Sequence, residues 1–380
     1  MKFVHVLIFI LSLLGVSSSN AVNPQDISSI RWNRDGSMLA IGYYDSSFKI
    51  VQSIDMVTLF TQPGSGGFIK SFGWSHDNTK LAVGYYYGVD IWDIVNFQKL
   101  STINTGSSAN LHLNWGQNDT TLFVGDGGDV PTLEIDINSN TIINAYTPSY
   151  SRIDISNTSS VAISNNSSEV IFIDLPDMSR INSAYFGGIG QIAITRASPN
   201  RDIVAIGFVN NMVRILDVQS LQVIAELNGM SELEMDLTEQ PGIVDLAFNE
   251  IGSRLFTMTR TGTIRSWDTS TWQMISSVEL VSLTFIADFS PNGSQVTYAE
   301  WEQGPQIFMR DLCDFVAPDV TTLLNIMPQA NTFGEEAQIC LTENATYTLS
   351  ASLPDITGDI TLIGNGAQIV MTGGSQIFNV

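Results

Sequence analysis

A turn motif recurs seven times along the chain at nearly constant spacing. Each copy continues into Asn, Asp, Ser, Pro or Gly, residues that favour tight turns, and the copies begin at Trp32, Trp74, Trp115, Ile155, Ala197, Phe248 and Phe289. The intervals between them are 42, 41, 40, 42, 51 and 41 residues. A period in this range is typical of units built from four short strands. The chain is therefore predicted to contain seven such units.

A second landmark keeps step with the turns. About half a repeat after six of them, a short apolar stretch ends in aspartate, at Asp93, Asp136, Asp174, Asp217, Asp268 and Asp311. Short β-rich runs such as Leu81-Ala-Val-Gly84 stand between the two landmarks, and no long stretch has helical periodicity. Two landmarks in phase over most of the chain predict an all-β fold, a seven-bladed β-propeller over residues 22–313.

The repeat resembles that of the WD-repeat β-propeller family. Two blades carry the Trp-Asp pair, Trp92-Asp93 and Trp267-Asp268, and the other four aspartates keep its second position. The segment Phe289 to Tyr298 is also similar to the repeat of periplasmic Tol-type propellers. The resemblance covers residues 27–313 and implies structural roles for these tryptophans and aspartates. No blade has the family's Gly-His pair, so its buried Asp-His-hydroxyl-Trp network is not expected here.

The first 21 residues have the pattern of an export signal. Lys2 is followed by an apolar run of about 14 residues and then by small residues up to Ala21. Cleavage after Ala21 would release a secreted, periplasmic or cell-surface protein. An uncleaved membrane anchor is the alternative.

The residues after the propeller follow a different pattern. Residues 314–332, with Pro318 and Pro328, are predicted to be a linker, although Phe315 to Val320 and the mature N-terminus are both candidates for the outer strand of blade 7. Residues 333–380 resemble the opening coils of right-handed parallel β-helix domains of bacterial surface and secreted proteins. Such coils need further coils or a cap, so the chain is expected to be truncated. Cys313 and Cys340 either form one disulfide or are two free thiols.

The charge balance excludes two classes of partner. The chain has 16 Lys and Arg against 38 Asp and Glu, a net charge of −22, while 44% of its residues are hydrophobic and 14% charged. Such a composition indicates a packed globular protein. An excess of negative charge opposes binding to nucleic acid and to anionic lipid, so neither is expected as a partner.

Catalytic patterns are weak. After the export signal only His76 and His112 could act as an imidazole base, and too few His and Cys are available for a zinc site. The fragment Asp126-Gly-Gly-Asp129 offers too few oxygens for calcium. We therefore predict a non-catalytic protein without cofactor or metal. The alternative is a carbohydrate-active lyase or hydrolase that uses carboxylates in the propeller centre or in missing β-helix coils.

The strongest interaction signal lies in the loops between the second and third strands of the blades. These loops share a rim with the connections between blades, where residues 231–240 form an acidic insertion. Tyr, Trp and Arg are enriched in binding hot spots. The candidate binding residues are Tyr43, Tyr44, Asp45, Tyr85, Tyr86, Tyr87, Phe208, Arg260, Trp301 and Glu302. They predict a rim that binds a protein or glycan partner, unless the tyrosines pack between blades instead.

Overall fold

The computed structural model describes most of the chain from Ile27 onward. The described residues are 27–64, 68–86, 88–106, 112–125, 131–147, 152–154, 161–175, 178–200, 202–227, 242–249, 252–280, 284–291, 293, 295–300, 307–313, 315–317, 319–332, 337–341, 345–350, 352–358, 360–363 and 367–372. Among them, no helix is long and apolar enough to span a membrane.

Seven antiparallel sheets follow one another along the chain and confirm the predicted propeller. Blades 1 to 3 consist of β1 (Ile27–Trp32), β2 (Met38–Tyr43), β3 (Phe48–Gln52) and β4 (Thr58–Gln62); β5 (Ser71–Trp74), β6 (Lys80–Gly84), β7 (Gly88–Asp93) and β8 (Gln98–Asn104); and β9 (His112–Trp115), β10 (Thr121–Gly125), β11 (Thr132–Asp136) and β12 (Thr141–Tyr146). In each sheet the strands pair in sequence order, as expected for blades joined by short turns.

The remaining blades repeat this order. Blades 4 to 7 consist of β13 (Arg152–Asp154), β14 (Val161–Asn165), β15 (Glu169–Asp174) and β16 (Ser179–Tyr185); β17 (Ile192–Ala197), β18 (Ile203–Phe208), β19 (Val213–Asp217) and β20 (Val223–Leu227); β21 (Ile243–Phe248), β22 (Arg254–Thr259), β23 (Thr263–Asp268) and β24 (Met274–Glu279); and β25 (Thr284–Phe289), β26 (Gln295–Glu300) and β27 (Ile307–Asp311). Within the described residues, blade 7 has three strands.

The first strands of the blades line the axis of a closed ring. Contacts run from β1 through β5 and β9 to β13, from β17 through β21 to β25, and from β25 back to β1, while blade 4 meets blade 5 through β14 and β17. Seven apolar clusters lie at the interfaces between adjacent blades, including the one between blades 7 and 1. The hydrophobic core is therefore divided into seven interfaces, and the ring is stable only if all of them form.

The residues that begin the turns also join neighbouring blades. The indole Nε1–H of Trp74 donates to the carbonyl oxygen of Arg31 at 3.2 Å, and that of Trp115 donates to the carbonyl of Gly73 at 2.8 Å. Trp32 makes the same bond to Asp288, at 3.1 Å, and so connects blade 1 to blade 7. A large apolar ring with one donor satisfies both the core and the backbone of the preceding blade.

The aspartates at the ends of the third strands close local turns. The carboxylates of Asp93, Asp136, Asp217 and Asp268 each accept hydrogen bonds from backbone N–H groups two or three residues further on. The preceding Trp92 and Trp267 are buried, and Trp267 donates its Nε1–H to the Thr257 hydroxyl at 3.2 Å. Asp174 ends β15, whereas the side chain of Asp311 is not described.

The prediction that residues 314–332 form a linker is wrong. This segment contains β28 (Phe315–Ala317) and helix α1 (Val320–Asn331), and Asp319 caps the helix by accepting the N–H of Thr322 at 2.8 Å. The helix forms because its apolar residues recur every three or four positions, so that Leu323 and Met327 are buried together. Pro328 is accommodated within it. Since β28 pairs with a later strand, it does not complete blade 7.

The C-terminal strands pair in parallel. They are β29 (Ala337–Leu341), β30 (Thr346–Leu349), β31 (Ile360–Ile363) and β32 (Gln368–Met371), arranged as sheets β28-β29-β31 and β30-β32. Paired residues are 22 to 24 positions apart in the chain. Helix α1 packs its buried face on the same apolar cluster as these strands. Cys313 is disulfide-bonded, and the sequence contains one other cysteine, Cys340.

Candidate binding site

Three aromatic side chains meet on the rim of blades 1 and 2. Tyr44 lies in the turn between β2 and β3, Phe68 in the connection from β4 to β5, and Tyr86 in the turn between β6 and β7. The ring centroids of Tyr44 and Phe68 are 5.4 Å apart, and those of Phe68 and Tyr86 are 5.7 Å apart. We call these three residues the aromatic patch. It brings together two tyrosines predicted from the sequence and one phenylalanine that was not.

The aromatic patch is accessible to a partner. Tyr44 is 50% exposed and Tyr86 is 36% exposed, while Phe68 is half-buried between them. The ammonium group of Lys70 lies 4.2 Å from the centroid of Phe68 and 5.0 Å from that of Tyr86. Exposed aromatic surface rimmed by polar groups is typical of interaction sites.

The other tyrosines predicted for the rim are packed into the blades. Tyr43 is buried at the interface of blades 7 and 1, and burial raises the pKa of its phenol to about 12. Tyr85 packs partly into the interface of blades 1 and 2, where burial and then the carboxylate of Asp90 raise its pKa. Both side chains therefore contribute to blade packing, which is the alternative considered for these residues.

Three further candidates have other positions. Phe208 is fully buried against Phe186, with 5.9 Å between the ring centroids, so its prediction as a surface residue is wrong. The end of β18 is covered by the preceding blade. The carboxylate of Asp45 accepts the N–H and hydroxyl of Ser47 and stabilises the turn beside Tyr44. Arg260 is half-buried, and its N–H donates to Gly242. Tyr87, Trp301, Glu302 and 231–240 lie outside the described residues.

Phe68 and Lys70 were missed because they lie in a connection between blades. The sequence Pro63-Gly-Ser-Gly-Gly67 before them is rich in glycine, and a lone phenylalanine after such a sequence does not stand out. Their position could have identified them, since the connection from β4 to β5 emerges on the same rim as the turns that carry the tyrosines.

Charge is distributed unevenly around the ring. Residues 27–104, which form blades 1 and 2, contain six Lys and Arg and six Asp, with no Glu. The net charge of −22 is therefore carried by the rest of the chain. All four lysines after Lys2 lie between Lys49 and Lys99. The aromatic patch thus lies in an electrically neutral sector of a strongly acidic protein.

A second cluster of polar side chains lies at the axis, beside the turns between first and second strands. Arg31 Nη1 donates to Asp288 Oδ1 at 3.0 Å, and Arg196 Nη2 donates to Asp245 Oδ1 at 2.9 Å. The other carboxylate oxygens accept the N–H groups of Trp32 and Phe289, at 2.7 and 3.1 Å. Each aspartate thereby links its blade to the next, as Asp245 joins blades 6 and 7.

These axial carboxylates do not form the acid–base pair that a glycoside hydrolase needs. All four oxygens of Asp245 and Asp288 accept protein hydrogen bonds, and both side chains are buried. A general acid or nucleophile must instead reach the substrate directly. The described residues contain no group of three or more potential metal ligands.

His76, in the turn between β5 and β6 of blade 2, contacts blades 1 and 3 through its two ring nitrogens. Its Nδ1 lies 2.8 Å from Asp119 Oδ1, and its Nε2 lies 3.5 Å from Arg34 Nη2. Its side chain is only 8% exposed. The Asp119 carboxylate also accepts the N–H groups of His76 and Asp77, so it fixes the turn of blade 2 against blade 3.

We expect stability to fall as pH rises from about 4 to about 6 because of Asp288. Burial raises its pKa from 3.8 to about 6, Arg31 opposes the shift, and the nearby Asp245 adds to it. At Asp288 the folded state therefore binds a proton more tightly than the unfolded state. The resulting contribution to the free energy of unfolding, on the order of 2 kcal/mol, is present below pH 4 and lost above pH 6. Urea unfolding of the native protein and of Asp288→Asn at pH 4.5 and 7 measures it. If the free energy of unfolding of Asp288→Asn differs between pH 4.5 and 7 as much as that of the native protein, the pH dependence arises from other groups.

Comparison with known proteins shows similarity to WD-repeat propellers. No protein-family model matches the chain. Over 102 residues it is 29% identical to the U3 small nucleolar RNA-associated protein 21 homolog of Schizosaccharomyces pombe, a match that covers 27% of this chain and 10% of that protein. The β-propeller domain of Cps50 (Swd1) from Myceliophteria thermophila superposes with a TM-score of 0.65 at 13% identity, covering 77% of this chain and 99% of that domain. The fold is that of a seven-bladed β-propeller.

Proposed function

We propose that the protein is an exported, non-catalytic scaffold that binds a protein partner through the aromatic patch on the rim of blades 1 and 2. The single observation that carries the proposal is the contact between three exposed or half-exposed rings from three separate loops. The pattern of residues 1–21 supports export. The WD-repeat similarity supports a binding role, since propellers of this type serve many interaction functions.

The geometry of the aromatic patch suits a protein anchor. Tyr44 and Tyr86 lie one and two residues after the buried strands β2 and β6, and Phe68 precedes the fully buried Ile69, so a partner would order few additional groups on binding. Rigid aromatic side chains supply large contact area at a low entropy cost. The patch is therefore already arranged as a hot spot.

The charge distribution favours a particular kind of partner. Blades 1 and 2 are neutral, whereas the rest of the molecule carries a charge of −22. A partner with an apolar or cationic anchor and basic flanking residues would be attracted by the surrounding field without meeting repulsion at the patch. An acidic partner would be repelled over most of the rim.

Replacing Tyr44 or Tyr86 with alanine is expected to weaken partner binding by about 1–2 kcal/mol each, or about 5- to 30-fold in Kd. Tyr185→Ala is the matched control, because Tyr185 is 71% exposed on the outer strand β16 of blade 4 and is not part of blades 1 and 2. The partner would be identified by crosslinking to the intact exported protein, and affinities compared by calorimetry. Equal Kd values for all three variants would place the binding surface elsewhere. If the protein binds glycans and the two tyrosine variants lose that binding to the same extent, the partner is a carbohydrate and not a protein.

A further inference from the structure

We infer that the aromatic patch is a receptor for an ammonium or guanidinium group of the partner, and that Lys70 occupies it as an internal competitor. This inference rests on the proposed function and names the chemistry that the same site recognises. Its starting point is the ammonium of Lys70, which lies 4.2 Å from the centroid of Phe68 and 5.0 Å from that of Tyr86. Both distances are within the range of cation–π attraction.

The arrangement of the rings favours a compact cation over a flat ligand. Tyr44 is inclined by 44° to Phe68, and Phe68 by 70° to Tyr86. Sugars stack on a flat aromatic face, whereas the inclined rings of Phe68 and Tyr86 both present a face to the same ammonium group. Lys70 already occupies part of this space.

The electrostatic setting supports the same ligand. A bound cation is stabilised by the ring faces and by the strongly acidic remainder of the molecule, and the exposed Asp45 is the nearest acidic residue in sequence to Tyr44. Lys70 supplies the positive charge when no partner is bound. A cationic partner therefore exchanges one ammonium for another and leaves the charge of the aromatic patch unchanged.

The cation–π contacts of Lys70 can be exchanged without unfolding the blade. It lies just before β5, its side chain is half-exposed, and its long flexible stem allows the ammonium to move into water. Contacts of this kind at exposed sites are weak and are easily exchanged. Because Lys70 is tethered beside the rings, it competes at a high effective concentration and lowers the apparent affinity for an external cation.

The test uses choline as the cation and 3,3-dimethyl-1-butanol as its neutral isostere, with binding followed by NMR on the whole mature protein carrying labelled tyrosines. Lys70→Met keeps most of the side-chain length and removes the charge, and Lys70→Arg keeps the competitor. We expect choline to bind Lys70→Met at least fivefold more tightly than the native protein or Lys70→Arg, and the isostere not to bind. A Tyr86→Ala exchange in the Lys70→Met background should abolish choline binding.

Two results would overturn the inference. One is an equal choline affinity in the native protein and Lys70→Met; the other is binding of the neutral isostere, or of methyl β-glucoside, as tightly as choline. If partner binding is still lost in Tyr86→Ala while choline is unaffected by Lys70→Met, the inference fails and the proposed function stands. If choline behaves as expected but the partner binds Tyr44→Ala and Tyr86→Ala normally, the proposed function fails.

Discussion

Replacing Asp288 with alanine should lower the free energy of unfolding by about 3 kcal/mol at pH 7. Its carboxylate accepts hydrogen bonds from Arg31 Nη1 and from the N–H of Trp32, and it lies at the interface where blade 7 meets blade 1. Alanine leaves the buried N–H without an acceptor and a guanidinium without its partner. The ring should open at this interface first, because blade 7 has three strands in the described part of the chain.

Asp288→Asn removes the charge and keeps one of the two acceptor oxygens. Arg31 and the N–H of Trp32 bond to different carboxylate oxygens, so the single amide oxygen can accept from only one of them, while the carboxylate that burial disfavours is removed. We therefore expect Asp288→Asn to lose less stability than Asp288→Ala at pH 7. Urea unfolding with a double-mutant cycle that includes Arg31→Ala measures the coupling. A loss in Asp288→Asn as large as in Asp288→Ala would show that the remaining hydrogen bond does not hold blades 7 and 1 together.

The blades were predictable because the turns of the repeats are formed by residues close together in the sequence. In the described residues, the turns after the first strands and the aspartates at the ends of most third strands are fixed by bonds to nearby backbone, so they leave a pattern at constant spacing. The bonds that Trp32, Trp74 and Trp115 make to the preceding blade explain why tryptophan begins three of the turns. Ring closure was not predictable, since it depends on contacts between residues 256 positions apart, Trp32 and Asp288.

The helix α1 was missed for a different reason. Pro318 and Pro328 suggested a linker, but one precedes the helix and the other is tolerated within it. The spacing of Val320, Leu323 and Met327 was the stronger signal, because an apolar stripe of this period packs against a sheet.

The candidate site was predictable only in part. Consecutive tyrosines in strand-end loops alternate between inward and outward directions, so Tyr43 and Tyr85 are covered while Tyr44 and Tyr86 are exposed. The sequence identified the loops but not which tyrosine of each pair faces solvent. Phe68 and Lys70 became visible only when the ring brought a third loop beside the first two.

Gly207→Val should destabilise the propeller by about 3 kcal/mol. Gly207 lies in β18, and a Cβ atom there would be 2.8 Å from the Cβ and Cγ2 of Ile243 in the next blade and 3.0 Å from Ile194 Cγ2. The Cβ of Ile243 is fixed to its backbone and cannot rotate away, so blades 5 and 6 would have to separate. Since the core consists of interfaces between blades, widening one of them loses contacts in the whole interface.

The neighbouring Gly242→Ala is the matched control for this prediction. A Cβ at Gly242 would lie 3.5 Å from the nearest atom, Val209 Cα, which is an ordinary contact, and its backbone has no positive φ angle. We expect its free energy of unfolding to change by less than about 1 kcal/mol, with a small gain because alanine restricts the unfolded chain. Thermal and urea unfolding compare the two variants. If Gly207→Val were as stable as Gly242→Ala, blades 5 and 6 would pack less tightly than the glycine contacts indicate, and closely packed interfaces could not be what holds the ring closed.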